Sequence, residues 1–142
     1  MQTQNLKNHG RLVAGYHYVT FLLLLLVLIS SIVNLIHSAP ENFYSASLLL
    51  VLTIATILVA FYARVFALKA QDRAIRAEEN FRHFIATGKQ LDSRLKISQI
   101  IALRFAGDDE FVALTKRAAN ENMTAKDIKA AIQNWKGDYN RA

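Results

Sequence analysis

A stretch of twenty residues lacking Asp, Glu, Lys and Arg, His17 to Ile36 (HYVTFLLLLLVLISSIVNLI), constrains this chain more than any other feature. As a helix it would reach about 30 Å, the thickness of a bilayer's hydrocarbon core. A second apolar segment, Ser45 to Phe61 continuing through Leu68, comes after only the eight residues His37 to Tyr44. Two spans joined so tightly can only run antiparallel, as a helical hairpin. A cleaved signal peptide is the competing reading of the first run, because Lys7 and Arg11 precede it and His37-Ser38-Ala39 loosely resembles a cleavage site. That run exceeds the usual signal core, however, His37 is a poor substitute for a small residue, and Pro40 comes directly after. The segment is therefore expected to be retained.

Charge sets the expected orientation. The connection between the two runs carries Glu41 and no lysine or arginine, whereas Lys7 and Arg11 flank the first run and Arg64, Lys69, Arg73 and Arg76 lie beyond the second. The positive-inside bias then places both termini in the cytoplasm, with Tyr16, Tyr18, Phe43, Tyr44 and Tyr62 near the two interfaces. Arg64, Lys69, Arg73 and Arg76 are also placed to meet anionic lipid headgroups, although topology alone would produce the same cluster.

No proline or glycine interrupts Tyr62 to Thr87, and opposite charges recur at helical spacing in Asp72 with Arg76, Glu78 with Arg82, and Arg76 with Glu79. This spacing predicts one helix from Ser45 to Thr87, extending about 65 Å and carrying the C-terminal part of the chain clear of the headgroups. Phe81, Phe84 and Ile85 lie on one side of its last turns as a docking stripe, and Gly88 ends it. Three short helices are expected after Gly88. The first lies within Asp92 to Ala106 and is closed by Gly107. The second opens on Asp108, Asp109 and Glu110, acids suited to the positive end of the helix dipole. The third starts at Thr124, with Asp127 at the capping-box position and a staple of Met123 on Ile128, and buries Ile128, Ala131, Ile132 and Trp135 before Lys136-Gly137. The expected fold is all-α. A cytoplasmic segment spans 1–16, a two-helix transmembrane hairpin 17–68, a juxtamembrane helix 69–90 and a small helical bundle 91–142. About fifty residues make a marginal core without metal or disulfide, so the bundle is expected to lean on Phe81, Phe84 and Ile85 or on a partner.

Candidate chemistry is sparse. The absence of cysteine excludes thiolate nucleophiles, disulfides and the usual structural zinc and iron-sulfur sites. There is no glycine-rich phosphate loop, nucleophile elbow or HExxH motif, and consecutive acids such as Asp108-Asp109-Glu110 point to different sides of a helix. An enzyme is not expected. His17 and His37 stand at opposite ends of the first span and could each hold haem only with a partner's histidine, since the second span has none; no cofactor is expected. Ser30, Asn34 and His37 form a polar stripe at i, i+4 and i+7. Without a carboxylate in either span a proton path is thin, and the stripe reads as helix-helix glue facing Thr53, Thr56 and Ala60 or a neighbouring subunit. Residues 64–142 hold fifteen basic and ten acidic side chains, an excess of five that is too interleaved to track phosphates, so nucleic acid is not the expected partner.

The residues Asn5, His9, Arg11-Leu12-Val13 and Tyr16-His17, with Gln99-Ile100-Ile101-Ala102-Leu103-Arg104-Phe105-Ala106 and Ile128-Lys129, Ala131-Ile132, Asn134-Trp135 and Asp138-Tyr139, resemble a family of small bacterial two-span membrane proteins described only as a domain of unknown function. The resemblance implies the architecture and a bacterial inner membrane, and it transfers no activity or site residue. Two function classes remain. One is a structural or accessory subunit of a larger membrane complex, in contact with membrane subunits or with further copies of itself through Ser30, Asn34, His37, Thr56, Phe81, Phe84 and Trp135. The other is a membrane-anchored regulator whose tail recruits a soluble partner or nucleic acid.

Overall fold

The computed structural model describes residues 4–6, 8, 10 and 12–139. Lys7, His9 and Arg11 lie outside them, so the N-terminal half of the charge argument has no structural counterpart. The described fold is all-α. A helical run over Gly15–His37 begins with wider π-type turns at Gly15–Thr20 and continues as α1, Phe21–His37. A 3-10 turn at Pro40–Asn42 leads into α2, Phe43–Thr87, and three short helices come after it: α3 (Ile97–Leu103), α4 (Asp108–Asn120) and α5 (Ala125–Ala131). Both long helices are apolar and long enough to cross a membrane. The chain divides into two compact units, Leu12–Ala67 and Leu68–Ala142 with the N-terminal segment.

In the first unit the least exposed positions recur in heptads. On the first helix they are Leu24, Leu28, Ser31 and Leu35, and on the second Ala46, Leu50, Thr53, Ile57 and Ala60. Alternating steps of four and three make a narrow seam, the pattern of helices crossing at a shallow angle. Its fully buried members are Ala46, Ser31 and Thr53, small side chains that let two backbones approach. The hydroxyls of Ser31 and Thr53 turn back onto their own helix, donating to Leu28 O at 2.9 Å and Leu49 O at 2.8 Å. Near the open end the Tyr16 hydroxyl donates to Ala60 O at 2.7 Å, and the Arg64 guanidinium lies 6.0 Å from the Tyr16 ring centroid.

The second unit buries Leu95, Ile100, Leu103, Phe105, Phe111 and Ile128 in one core. Thr124 and Asp127 form the reciprocal capping box expected from sequence, and Gly88 adopts the left-handed conformation (φ 71°) that ends α2. Helix α3 lies within the expected Asp92 to Ala106, starting at Ile97 after a tight turn in which the Asp92 carboxylate accepts from the Arg94 backbone N–H at 2.9 Å. Two boundaries differ from expectation. Gly107 stands at the N-terminus of α4, where an added Cβ would fall 3.0 Å from Asn134 O and closer still to the Asp109 carboxylate. Helix α5 stops at Ala131, and Trp135 instead forms an antiparallel bridge with Ala106 while its ring lies 5.4 Å from that of Phe105.

Candidate functional site

The second unit is organised around Arg82, in the C-terminal half of α2. Its Nε donates to Asp108 Oδ1 at 2.7 Å, its Nη1 to Glu79 Oε2 at 3.1 Å and its Nη2 to Ala106 O at 2.7 Å. The guanidinium also sits 4.0 Å from the centroid of the Phe111 ring. One side chain thereby ties α2 to the α3–α4 turn and to the first turn of α4. Next to it, the His83 ring meets the edge of Phe111 with centroids 6.2 Å apart, and Asn80 Oδ1 accepts from the Leu91 backbone N–H at 2.9 Å.

The three consecutive acids of α4 divide their work as helical geometry requires. Asp108 takes Arg82, Asp109 accepts from the Asn134 side chain at 2.5 Å, and Glu110 accepts the backbone N–H groups of Gln133 at 3.1 Å and Asn134 at 2.9 Å. They hold the segment after α5 against the core. Gly107 N–H donates to Asn134 O at 2.7 Å and Lys136 N–H to Phe105 O at 2.8 Å, completing that attachment. On the far side, the Gln4 amide donates to Asp138 O at 3.0 Å and accepts from Asp138 N–H at 2.9 Å.

Beside Arg82 opens a cavity of about 720 Å³, with Glu79, Arg104, Asp108, Lys136, Asp138 and Tyr139 in its wall. Burial pushes the Glu79 carboxyl up from its ordinary value against the pull of Arg82. The hydrogen bond and charge of Arg82 hold Asp108 below the usual carboxylate range. Arg104, almost fully buried, stands 3.3 Å from Asp138 Oδ2 and 4.6 Å from the Phe105 ring centroid. Cations and carboxylates alternate around this wall and compensate one another, which suits a latch between segments better than capture of a charged substrate. Among the described residues no three His, Asp or Glu side chains converge as a metal site would require.

The residues singled out in the sequence are distributed differently. Ser30, Asn34, His37 and Thr56 are all exposed. On the first helix the hairpin seam runs through Ser31, one step around from Ser30, and on the second it includes the expected Thr53 and Ala60 but not Thr56, so Ser30, Asn34 and His37 do not line it. Thr56 Oγ1 donates to Leu52 O at 2.8 Å, and His37 Nδ1 lies 2.9 Å from Val33 O, contacts within their own helices. Of the expected docking stripe, Phe81 and Ile85 border the cavity beside Arg82 together with Phe111 and Tyr139, yet with Phe84 they stay 64%, 69% and 51% exposed. The buried and hydrogen-bonded contacts of α2 with the bundle run through Ile75, Glu79 and Arg82 instead. Of the expected helical ion pairs, Arg82 joins Glu79 and not Glu78. Lys69, Arg73 and Arg76 are exposed and Arg64 is half-buried. Trp135 is half-buried beside Phe105. Sequence reasoning missed Arg82 as a hub because its partners at Ala106 and Asp108 lie more than twenty residues away. The one available signal was an arginine in a run with no acid four residues on and an acidic helix start downstream.

The chain matches a family of unknown function over residues 1–142. No curated protein and no solved structure matches it.

Proposed function

The chain belongs to the family DUF6526, and from its residues we propose that it is a non-catalytic membrane-anchored subunit, held by a two-span hairpin, whose helical unit docks on a larger membrane complex. The observation that carries this reading is the exterior of Leu12–Ala67. Only Ser31, Ala46 and Thr53 are buried among its described residues, while side chains such as Leu22, Leu26, Ile29, Leu52 and Val59 are at least half exposed. A surface of that kind is stable where hydrocarbon surrounds it. Basic side chains Arg64, Lys69, Arg73 and Arg76 beyond the second span, against Glu41 between the spans, favour cytoplasmic termini in a bacterial inner membrane. The non-catalytic role is supported by compensated charges around the cavity and by a sequence lacking nucleophile and phosphate-loop motifs.

Three measurements on the full chain test this. Carbonate washing should leave it in the membrane pellet, and reporter fusions at either terminus should read cytoplasmic. On native sizing after mild detergent extraction it should migrate with an assembly well above the mass of a dimer. Release by carbonate would overturn the anchored reading. A species no larger than a dimer would favour the alternative, an anchored regulator whose tail recruits a soluble partner.

A further inference from the structure

Helix α2 uses one face to hold the bundle, and its opposite face carries a pattern of its own. Ala70, Ala74, Ala77, Phe81 and Phe84 succeed one another at steps of four, three, four and three, and all five are exposed. This is the spacing of the a and d positions of a coiled coil, with Ala74 and Phe81 at a and Ala70, Ala77 and Phe84 at d. Ile75, Glu79 and Arg82, which receive the bundle, fall at b and f on the other side of the helix. Phe81 and Ala77 border the cavities at the two edges of the bundle, but among the described residues nothing covers this face, and the two phenylalanines remain 64% and 51% exposed.

The flanking charges identify the occupant. In the same register Arg73 stands at g and Glu78 at e, five residues on, and both side chains are exposed. In a parallel, in-register pair of helices a g residue meets the e residue five positions later on the neighbour. Arg73 of each copy then faces Glu78 of the other, twice by symmetry. An antiparallel pair would set g against g and e against e, forfeiting both attractions. We infer that α2 pairs in parallel with α2 of a second copy of this chain through Ala70, Ala74, Ala77, Phe81 and Phe84, with reciprocal Arg73–Glu78 ion pairs fixing the register. The alanine layers bring the backbones close and the phenylalanine layers supply the apolar area. The inference rests on the anchored reading in one respect, that two copies inserted in one membrane present α2 in the same direction.

Because the chain has no cysteine, single-cysteine variants of the full protein report directly on this pairing in native membranes. Under mild oxidation Ala74→Cys and Ala77→Cys should give about tenfold more disulfide-linked dimer than Arg76→Cys, which is exposed at the same level but on another face, since a disulfide needs Cβ atoms within about 4.5 Å. Equal yields at the three positions, no dimer at any, or linkage to a protein of another mass would overturn the inference. Arg73→Glu should reduce the Ala77→Cys dimer about fivefold through two like-charge contacts, and Glu78→Arg in the same chain should restore it. Failure of the double charge swap to restore would overturn the register. Carbonate washing of the same membranes separates the two readings, since a chain that pellets without cross-linking contradicts the pairing alone, whereas a chain that is released contradicts the anchor.

Discussion

The two units of this protein solve packing in opposite senses. In Leu12–Ala67 the buried side chains are Ser31, Ala46 and Thr53 while leucines such as Leu22, Leu26 and Leu52 face outward, and in Leu68–Ala142 Phe105, Phe111, Ile100 and Leu103 are buried and, Glu79 and Arg104 apart, most charges face outward. Burial in the second unit removes apolar area from water and so stabilises it. In the first, if hydrocarbon is the surroundings, moving a leucine inward gains nothing, and close approach of small residues is what remains to hold two helices together. The same twenty amino acids are thus sorted by which solvent they must exclude.

The sharpest way to break that contrast is to remove a large side chain from each unit. Phe105→Ala, at a position 1% exposed, should destabilise the helical unit by about 3–5 kcal/mol. Leu26→Ala, outward on the hairpin, should change hairpin stability by less than about 0.5 kcal/mol. Trp135, the sole tryptophan and close to Phe105, gives the fluorescence signal for the first; SDS titration with circular dichroism as readout serves the second. Comparable losses in both would show that the hairpin is packed as a soluble core.

Next in size is the hub. Arg82→Met keeps the length of the side chain but strips partners from Glu79, Asp108 and Ala106 O, and should cost the helical unit about 2–3 kcal/mol. An unchanged Trp135 unfolding midpoint would remove Arg82 from the centre of the unit's stability.

A smaller effect separates neighbours on one helix. Ser31→Leu overfills the hairpin seam and should cost about 1–3 kcal/mol on SDS titration, whereas Ser30→Leu should be near neutral. Equal effects would contradict the seam's register.

Acid should act on one unit and spare the other. Hydrogen bonds from Arg94 hold Asp92 down to about 2 from an ordinary 3.8, and Arg82 lowers Asp108 as well. Carboxylates with depressed values stabilise the fold above their unfolded value and lose that contribution as pH falls through the folded one. The helical unit should therefore weaken from about pH 4 downward. Glu79 acts with the opposite sign. Its raised value means that protonation relieves a buried charge, so stability rises slightly as pH falls toward 4.5, and Glu79→Gln should abolish that rise. The hairpin, with Glu41 as its only carboxyl group, should show little response over the same range. Trp135 fluorescence against pH, beside SDS titration of the hairpin, decides this.

Signals carried by neighbouring residues were legible in the sequence. Gly88 and the Thr124–Asp127 box ended and began helices where local chemistry demands it, and the unbroken stretch from Ser45 to Thr87 lies within a single helix, Phe43–Thr87. Facing was harder to read. Ser30 and Ser31 differ by one step of a helix, and polarity favoured the stripe through Asn34 over the small-residue seam that the heptad of Leu24, Leu28, Ser31 and Leu35 defines. Phe81, Phe84 and Ile85 looked like a docking face because they are apolar. The bundle chose the side where Arg82 could satisfy Ala106 O and Asp108, a preference set by long-range hydrogen bonds that no local pattern encodes. Trp135 fitted the helical period of the sequence, but Glu110 captures the N–H groups of Gln133 and Asn134 and draws the chain out of α5 first.

The paired hydrogen bonds between the Gln4 amide and the backbone of Asp138 join positions 134 residues apart. Their consequence is one of parity. The stretch between two residues that touch is a closed circuit, and a closed circuit passes through any sheet that divides two compartments an even number of times. Neither one crossing nor three is compatible with that clasp, whatever the charges on either side. With Gln4 and Asp138 in different compartments both bonds would be lost, and Gln4→Ala offers a direct view of how much the circuit relies on them.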